Sequence, residues 1–139
     1  MQQYLEFVGR NWTLFLALAL VSFFLARSQK GGANNLNAQQ AVEKMSHHDA
    51  IVVDVREANE VASGMIRDSI HIPLAQLKDR FNELEKYTNK PIIMACRSGN
   101  RSAHAINILR KNGFTDLYNL KGGVMAWQHA SLPLKRKKA

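Results

Sequence analysis

The residues predict an α/β fold, with a mostly parallel central sheet, helices on both faces and one transmembrane helix in front. Three features carry that prediction. Short apolar runs alternate with segments of helical periodicity, the pattern of a parallel sheet covered on both sides. About 100 residues follow position 36, enough for one such core. An uncharged apolar run near the N-terminus stands apart from that alternation.

This run, Trp12 to Ala26, is fifteen residues interrupted only by Thr13 and Ser22, and it stops at Arg27, with Lys30 beyond. A span takes ~20 residues, with a lower limit of ~17. The run reaches that length when carried back through Asn11 to Val8, with Arg10 snorkelling to the interface and Tyr4 and Trp12 in the aromatic belt. Residues 1–27 are therefore expected to be a retained anchor. A cleaved signal peptide fits less well, since the leading segment has one Arg and one Glu and no small-x-small site follows. A buried core helix is the third reading. Arg10 alone precedes the span, whereas Arg27, Lys30 and later Lys44 follow it. That bias, with a free thiol suited to a reducing compartment, predicts a single-pass protein of the inner or plasma membrane with a cytoplasmic domain.

Residues 28–36 are polar and glycine-bearing and are expected to be a flexible linker, leaving 37–134 as the globular domain and 135–139 as a basic tail. Asn37 is placed to cap a helix over Ala38–Met45 that packs Ala41, Val42 and Met45. Ile51–Val55 reads as a strand, followed by a short strand near Ile70. Leu74, Leu77, Phe81 and Leu84 form one stripe and predict a helix from Leu74 to Leu84. Pro91 leads a buried strand through Ala95. Ala103, Ala105, Ile106, Ile108 and Leu109 mark a helix to Lys111, stopped by Gly113. Leu117–Leu120 is the last strand and Val124–Ala130 the last helix.

Between the Pro91-led strand and the next helix stands the single cysteine, Cys96, followed by Arg97, Ser98, Gly99, Asn100, Arg101 and Ser102. One cysteine makes no internal disulfide, so its sulfur is either packing or chemistry. A loop free of large apolar side chains can turn successive N–H groups inward as an anion-binding nest, and the helix that follows adds its positive end. Helix N-termini and nearby arginines lower a thiol from its usual pKa of ~8.5 towards the reactive thiolate. Arg97 and Arg101 bracket the loop, and Arg101 is suited to bidentate binding of an anion.

These residues resemble the active-site loop of the rhodanese family of sulfurtransferases. Four further stretches are similar in order and spacing. They are Val52–Glu57 with Glu60; Gly64-Met65-Ile66 through Ser69–Leu74; Gly113-Phe114; and Leu120-Lys121-Gly122-Gly123 through Trp127. Met65 and Asp68 depart from it where many members carry His and Gly. The resemblance implies a rhodanese-like fold. Cys96 would attack the outer sulfur of thiosulfate or a similar small anionic donor, hold it as a persulfide and pass it to a thiol or cyanide. The loop amides would stabilise the persulfide, and Arg97 and Arg101 would draw in the donor. Cys96 and Arg101 are separated by four residues; phosphatase relatives use five, a wider cradle, so phosphoryl transfer is disfavoured. A membrane-tethered binding module with weak or no catalysis remains the alternative.

Asp54 and Arg56 alternate on one strand face near its carboxyl end, where parallel sheets place ligands; the resemblance implies that they brace the loop. Glu57 and Glu60 suit the start of a short helix. His47 and His48 lie in a polar loop with no cysteine near, so no metal site is expected. His71 reads as a rim or core residue, His104 as directed away from the loop, and Trp127 as a core anchor. The sequence contains no GxGxxG, no GxxxxGK[ST] and no second cysteine, so no cofactor is expected. The net charge is +8, of which Lys135, Arg136, Lys137 and Lys138 carry four positive charges. Without interleaved aromatics, that tail suits anionic lipid or simple solvation better than nucleic acid.

Overall fold

The computed structural model describes residues 1–29 and 34–136, without the side chains of 27–29. Two compact units result, Met1–Gly32 and Ala33–Ala139.

The first unit holds α1 (Gln2–Arg10) and α2 (Trp12–Gln29). The expectation of one helix running from Val8 into the apolar run is corrected. Asn11 breaks it, with a bend of 70° between α1 and Trp12–Ala26. The cause is local: Asn11 Nδ2 donates to Phe7 O at 2.9 Å, while Asn11 O accepts from Leu14 N at 2.9 Å. Asparagine here competes for backbone partners, ending one helix and starting the next. Among the described residues no single helix is long and apolar enough to cross a membrane, and the bent pair passes by length and composition only.

The second unit is an all-parallel five-stranded sheet in the order β1-β5-β4-β2-β3, built from β1 (Asn34–Leu36), β2 (Ile51–Asp54), β3 (Ile70–His71), β4 (Ile92–Ala95) and β5 (Leu117–Leu120). Side-chain alternation along β4 divides the core. Ile92, Met94 and Cys96 join one buried cluster with Val53, Ile106, Leu109 and Leu117. Ile93 and Ala95 join the other with Val52, Ala41, Leu120 and Trp127. Helices α3 (Ala38–His47) and α7 (Gly123–His129) thus cover one face, and α6 (Asn100–Lys111) with the Leu74–Tyr87 segment covers the opposite one. Asn37 caps α3 as expected: its side chain accepts from Gln40 N at 2.8 Å and Gln40 Oε1 accepts from Asn37 N at 2.9 Å.

Three expectations are corrected in this unit. Part of the predicted linker is β1, which pairs with Tyr118–Leu120; residues 30–33 lie outside the described residues. Two exposed asparagines and one buried leucine carry no strand signal of their own, and tertiary pairing makes the strand. The predicted helix over Leu74–Leu84 is a 3₁₀ turn (Leu74–Gln76), α5 (Leu77–Arg80) and a second 3₁₀ stretch (Phe81–Tyr87). An apolar stripe spaced by three and four residues fits both helix periods, so spacing alone did not separate them. Lys135, assigned to the tail, bridges Met65 in antiparallel fashion, and 137–139 lie outside the described residues.

Arg56 ties the end of β2 to the turn after α4 (Ala58–Val61). Its Nη2 donates to Asp54 Oδ2 and to Gly64 O, both at 2.8 Å, and its Nε lies 3.0 Å from each Asp54 oxygen. Asp54 is 1 % and Arg56 5 % exposed, so each charge depends chiefly on the other. Removing one member of such a pair leaves the other buried and uncompensated. Asp54→Ala is therefore expected to cost about 3–5 kcal/mol in urea unfolding, and replacing both by leucine less. A loss below about 1 kcal/mol for Asp54→Ala would contradict the brace.

Candidate active site

The carboxyl ends of β4 and β2 are neighbours in the sheet, so the Cys96 loop and the Asp54–Arg56 turn meet at one edge. Cys96 ends the buried face of β4 and is 1 % exposed. The loop then turns on Gly99, whose φ of +104° admits no ordinary side chain without strain and which serves as N-cap of α6. That turn aims Gly99 N–H at Cys96 Sγ, 3.0 Å away. Ser102, wholly buried in the first turn of α6, places Oγ 3.3 Å from the sulfur.

The loop's carbonyls face the other way because α7 holds them. Val124 N donates to Cys96 O at 2.8 Å and Met125 N to Arg97 O at 3.1 Å. The approach is so close that a Cβ on Gly123 would overlap Cys96 O and stand 2.5 Å from Arg97 C and O. Only glycine fits there. With carbonyls turned out and amides in, the sulfur sits in a positive pocket. Burial pushes the Cys96 thiol up; the Ser102 hydroxyl and the amides of Ser102, Gly99 and Ser98 outweigh it, leaving the pKa below the ordinary value.

The predicted loop residues divide into three groups. Gly99 and Ser102 reach the sulfur, as above. Arg97, Ser98 and Asn100 are exposed, and Arg97 borders an open cleft of about 590 Å³ shared with Arg56, Glu60, Met125, Gln128 and His129. Cys96 is not among the lining residues of that cleft. Arg101, expected to grip an anion, has both Nη atoms on Glu60, at 2.6 and 2.8 Å to its two carboxylate oxygens. Glu60 also accepts from Glu57 N at 3.1 Å, so one carboxylate caps α4 and fixes the arginine at the loop's end. The Arg101 guanidinium is the main cause that lowers the Glu60 pKa from 4.5 to about 2.

Other expectations are located as well. His71 Nε2 is 2.7 Å from Arg56 O at the rim, His104 is exposed, and Trp127 is buried with Nε1 donating to Pro133 O at 3.0 Å. Among the described residues no cluster of metal-ligating side chains occurs. Two participants were not foreseen: Glu60 as partner of Arg101, and Asn119, whose Oδ1 accepts from Ser102 Oγ at 2.5 Å. Asn119 had a readable signal, a polar residue on the inward face of an apolar strand, which must find a partner.

Because Glu60 titrates lower in the folded chain than unfolded, its contribution to stability is complete above pH 4.5 and is lost as pH falls through about 2. The difference in urea midpoint between wild type and Glu60→Gln should be constant above pH 4.5 and shrink below it. A difference that grows on acidification would contradict the clamp.

Comparison with known proteins follows the geometry. The Rhodanese-like domain family matches residues 37–130. An uncharacterised Escherichia coli protein, YibN, is 33 % identical over 145 residues, covering 99 % of this chain and 100 % of its own. A sulfurtransferase of Allochromatium vinosum is 31 % identical over 102 residues, covering 73 % of this chain and 94 % of its own. The crystal structure of a rhodanese-related protein from Thermoplasma volcanium superposes with a TM-score of 0.68 at 31 % identity, covering 75 % of this chain and 99 % of that one. With a parallel α/β sheet, a cysteine loop at its carboxyl edge and these relatives, the chain belongs to the rhodanese-like domain family.

Proposed function

We propose that the protein is a membrane-anchored sulfurtransferase that carries sulfane sulfur on Cys96. The observation that supports this most is the Gly99 N–H directed at the sulfur at 3.0 Å, within a loop whose carbonyls are tied elsewhere. In the first half-reaction the Cys96 thiolate attacks the outer sulfur of thiosulfate. A new S–S bond forms, the donor's S–S bond breaks, and sulfite leaves with the electron pair. In the second, a thiol or cyanide attacks the outer persulfide sulfur and the Cys96 thiolate leaves with its pair.

Burial sets the order of events. A sulfur 1 % exposed favours a small donor over a bulky one. Once loaded, the reacting atom lies about 2 Å from Sγ, one S–S bond length, so an acceptor need not reach the buried Sγ itself. Arg97, exposed at the cleft, suits recruitment of the anionic donor; Arg101 adds positive field from behind while Glu60 holds it. Incubation with thiosulfate should add one sulfur, ~32 Da, to the intact chain. Cys96→Ser should abolish the gain, and Arg97→Ala should raise the thiosulfate concentration needed several-fold. No adduct from thiosulfate or a persulfide donor would favour the binding-module reading.

The anchor is part of the proposal. The 18-residue α2 is about 27 Å long at the usual helical rise, short of the ~30 Å of a hydrocarbon core, so the proposed anchor is the bent pair of α1 and α2 rather than α2 alone. The arc of α1 with Tyr4, Leu5, Phe7 and Val8 opposes Gln2, Gln3, Glu6 and Arg10, which suits a helix lying in the interface after the Asn11 bend. The lysine and arginine bias supports a cytoplasmic side for the catalytic domain, and the basic tail suits anionic lipid. The full chain should stay in the membrane pellet through alkaline carbonate washing, and a chain lacking residues 1–29 should be released. Full-length protein in the supernatant would contradict anchoring.

A further inference from the structure

Ser102 has one hydroxyl proton and three acceptors around it. Its Oγ is 3.3 Å from Cys96 Sγ, 3.1 Å from Gly99 O and 2.5 Å from Asn119 Oδ1. Ser102 is wholly buried and Asn119 is 6 % exposed, so water does not readily supply a second donor. The sense of the Asn119 amide is set by its surroundings. Nδ2 donates to Gly99 O and to Asn35 Oδ1, each at 3.2 Å. A flipped amide would put its oxygen against Gly99 O, a carbonyl that can only accept, so Oδ1 is left to face Ser102. Asn35 belongs to β1, the strand that pairs with β5 in the register Asn35↔Asn119.

We propose that Asn119, oriented by Asn35, is a positioning residue that competes with Cys96 for the Ser102 proton and so sets how readily the sulfur ionises. With the thiol, S–H donates to Ser102 Oγ and the hydroxyl donates to Asn119; every donor and acceptor is matched. When the thiol loses its proton, the Ser102 hydroxyl turns from Asn119 to the sulfur, and Asn119 Oδ1 gives up its donor. When a sulfur atom is loaded, the negative charge moves to the outer sulfur and the hydroxyl returns to Asn119. The pair is a two-position proton switch under the nucleophile, damping the free thiolate while leaving the loaded state fully bonded.

The proposal rests on Cys96 being the nucleophile, but its test does not need sulfur transfer. As the single cysteine, Cys96 reports its own ionisation through the pH dependence of iodoacetamide alkylation of the full chain in detergent. The charged and titratable groups around the loop are Arg97 and Arg101, Glu57 and Glu60, the Asp54–Arg56 pair, His71 against Arg56 O and His129 across the cleft from Arg97; all are kept in every variant. Asn119→Leu removes the competitor and should lower the alkylation pKa by about half a unit to one unit, while Ser102→Ala removes the donor and should raise it by a similar amount, the weight of one buried hydrogen bond. Asn35→Ala, at an exposed position, should shift it in the direction of Asn119→Leu by less. Opposite shifts for the two buried variants distinguish a proton competitor from a structural prop, whose loss loosens the loop and moves both alike. Shifts of the same sign, or no shift in Asn119→Leu, would overturn the proposal. If Asn119→Leu does not fold, Asn35→Ala decides: a lowered pKa upholds it, and an unchanged or raised one overturns it.

Discussion

Two hydrogen bonds from α7, Val124 N to Cys96 O and Met125 N to Arg97 O, settle what the reactive loop can do. A peptide unit that shows its carbonyl to one side shows its N–H to the other. Holding Cys96 O and Arg97 O against the helix therefore turns the N–H groups of Arg97 and Ser98 away from it, and the Ser98 amide, with that of Gly99 on the next peptide, bonds the Cys96 sulfur. The contact tolerates no side chain on Gly123, which ties the glycine pair after β5 to a cysteine more than twenty residues earlier. An anion hole results from main-chain geometry, and only afterwards do Ser102 and the arginines add to it.

Around that centre the charged groups are arranged in layers. Asp54 and Arg56 are buried and bonded to each other and to Gly64 O, so they serve the frame. Glu60 and Arg101 form a half-exposed bidentate pair that closes the end of the loop against α4. Arg97 is left facing the cleft. Two arginines that look alike in a sequence thus have different surroundings, one tied to Glu60 at the loop's end and the other bordering the cleft. The burial of Cys96 fits the proposed chemistry, in which a small sulfur donor would need no wide opening at Sγ itself.

Much of this was legible in the residues, for identifiable reasons. The strands Ile51–Asp54, Ile92–Ala95 and Leu117–Leu120 and the helix ending at Lys111 are strongly patterned, and each lies within a residue or two of its expected place. The order of polar and glycine positions after Cys96 pointed to an amide nest, and the coordinates show amides on the sulfur. What was not legible depended on partners distant in sequence. β1 is a strand only because β5 lies beside it. Arg101 was read as an anion ligand because Glu60, 41 residues earlier, is invisible to local spacing. Asn119 is 17 residues from Ser102 and needed the sheet to bring it there. At the N-terminus the hydropathy of the apolar run was plain, but the Asn11 break was not, since a single asparagine is neutral in a count and decisive in a hydrogen-bond ladder.

The claim on which the account stands is that this buried sulfur ionises more readily than a free cysteine because of the loop's amides and Ser102, despite its desolvation. Direct titration of thiolate ultraviolet absorbance in the wild-type chain tests it, with Cys96 as the sole absorbing thiol. An apparent pKa below the ~8.5 of a free cysteine is the expected result. A value above it would show that burial prevails over the nest, and the sulfur would then be packing.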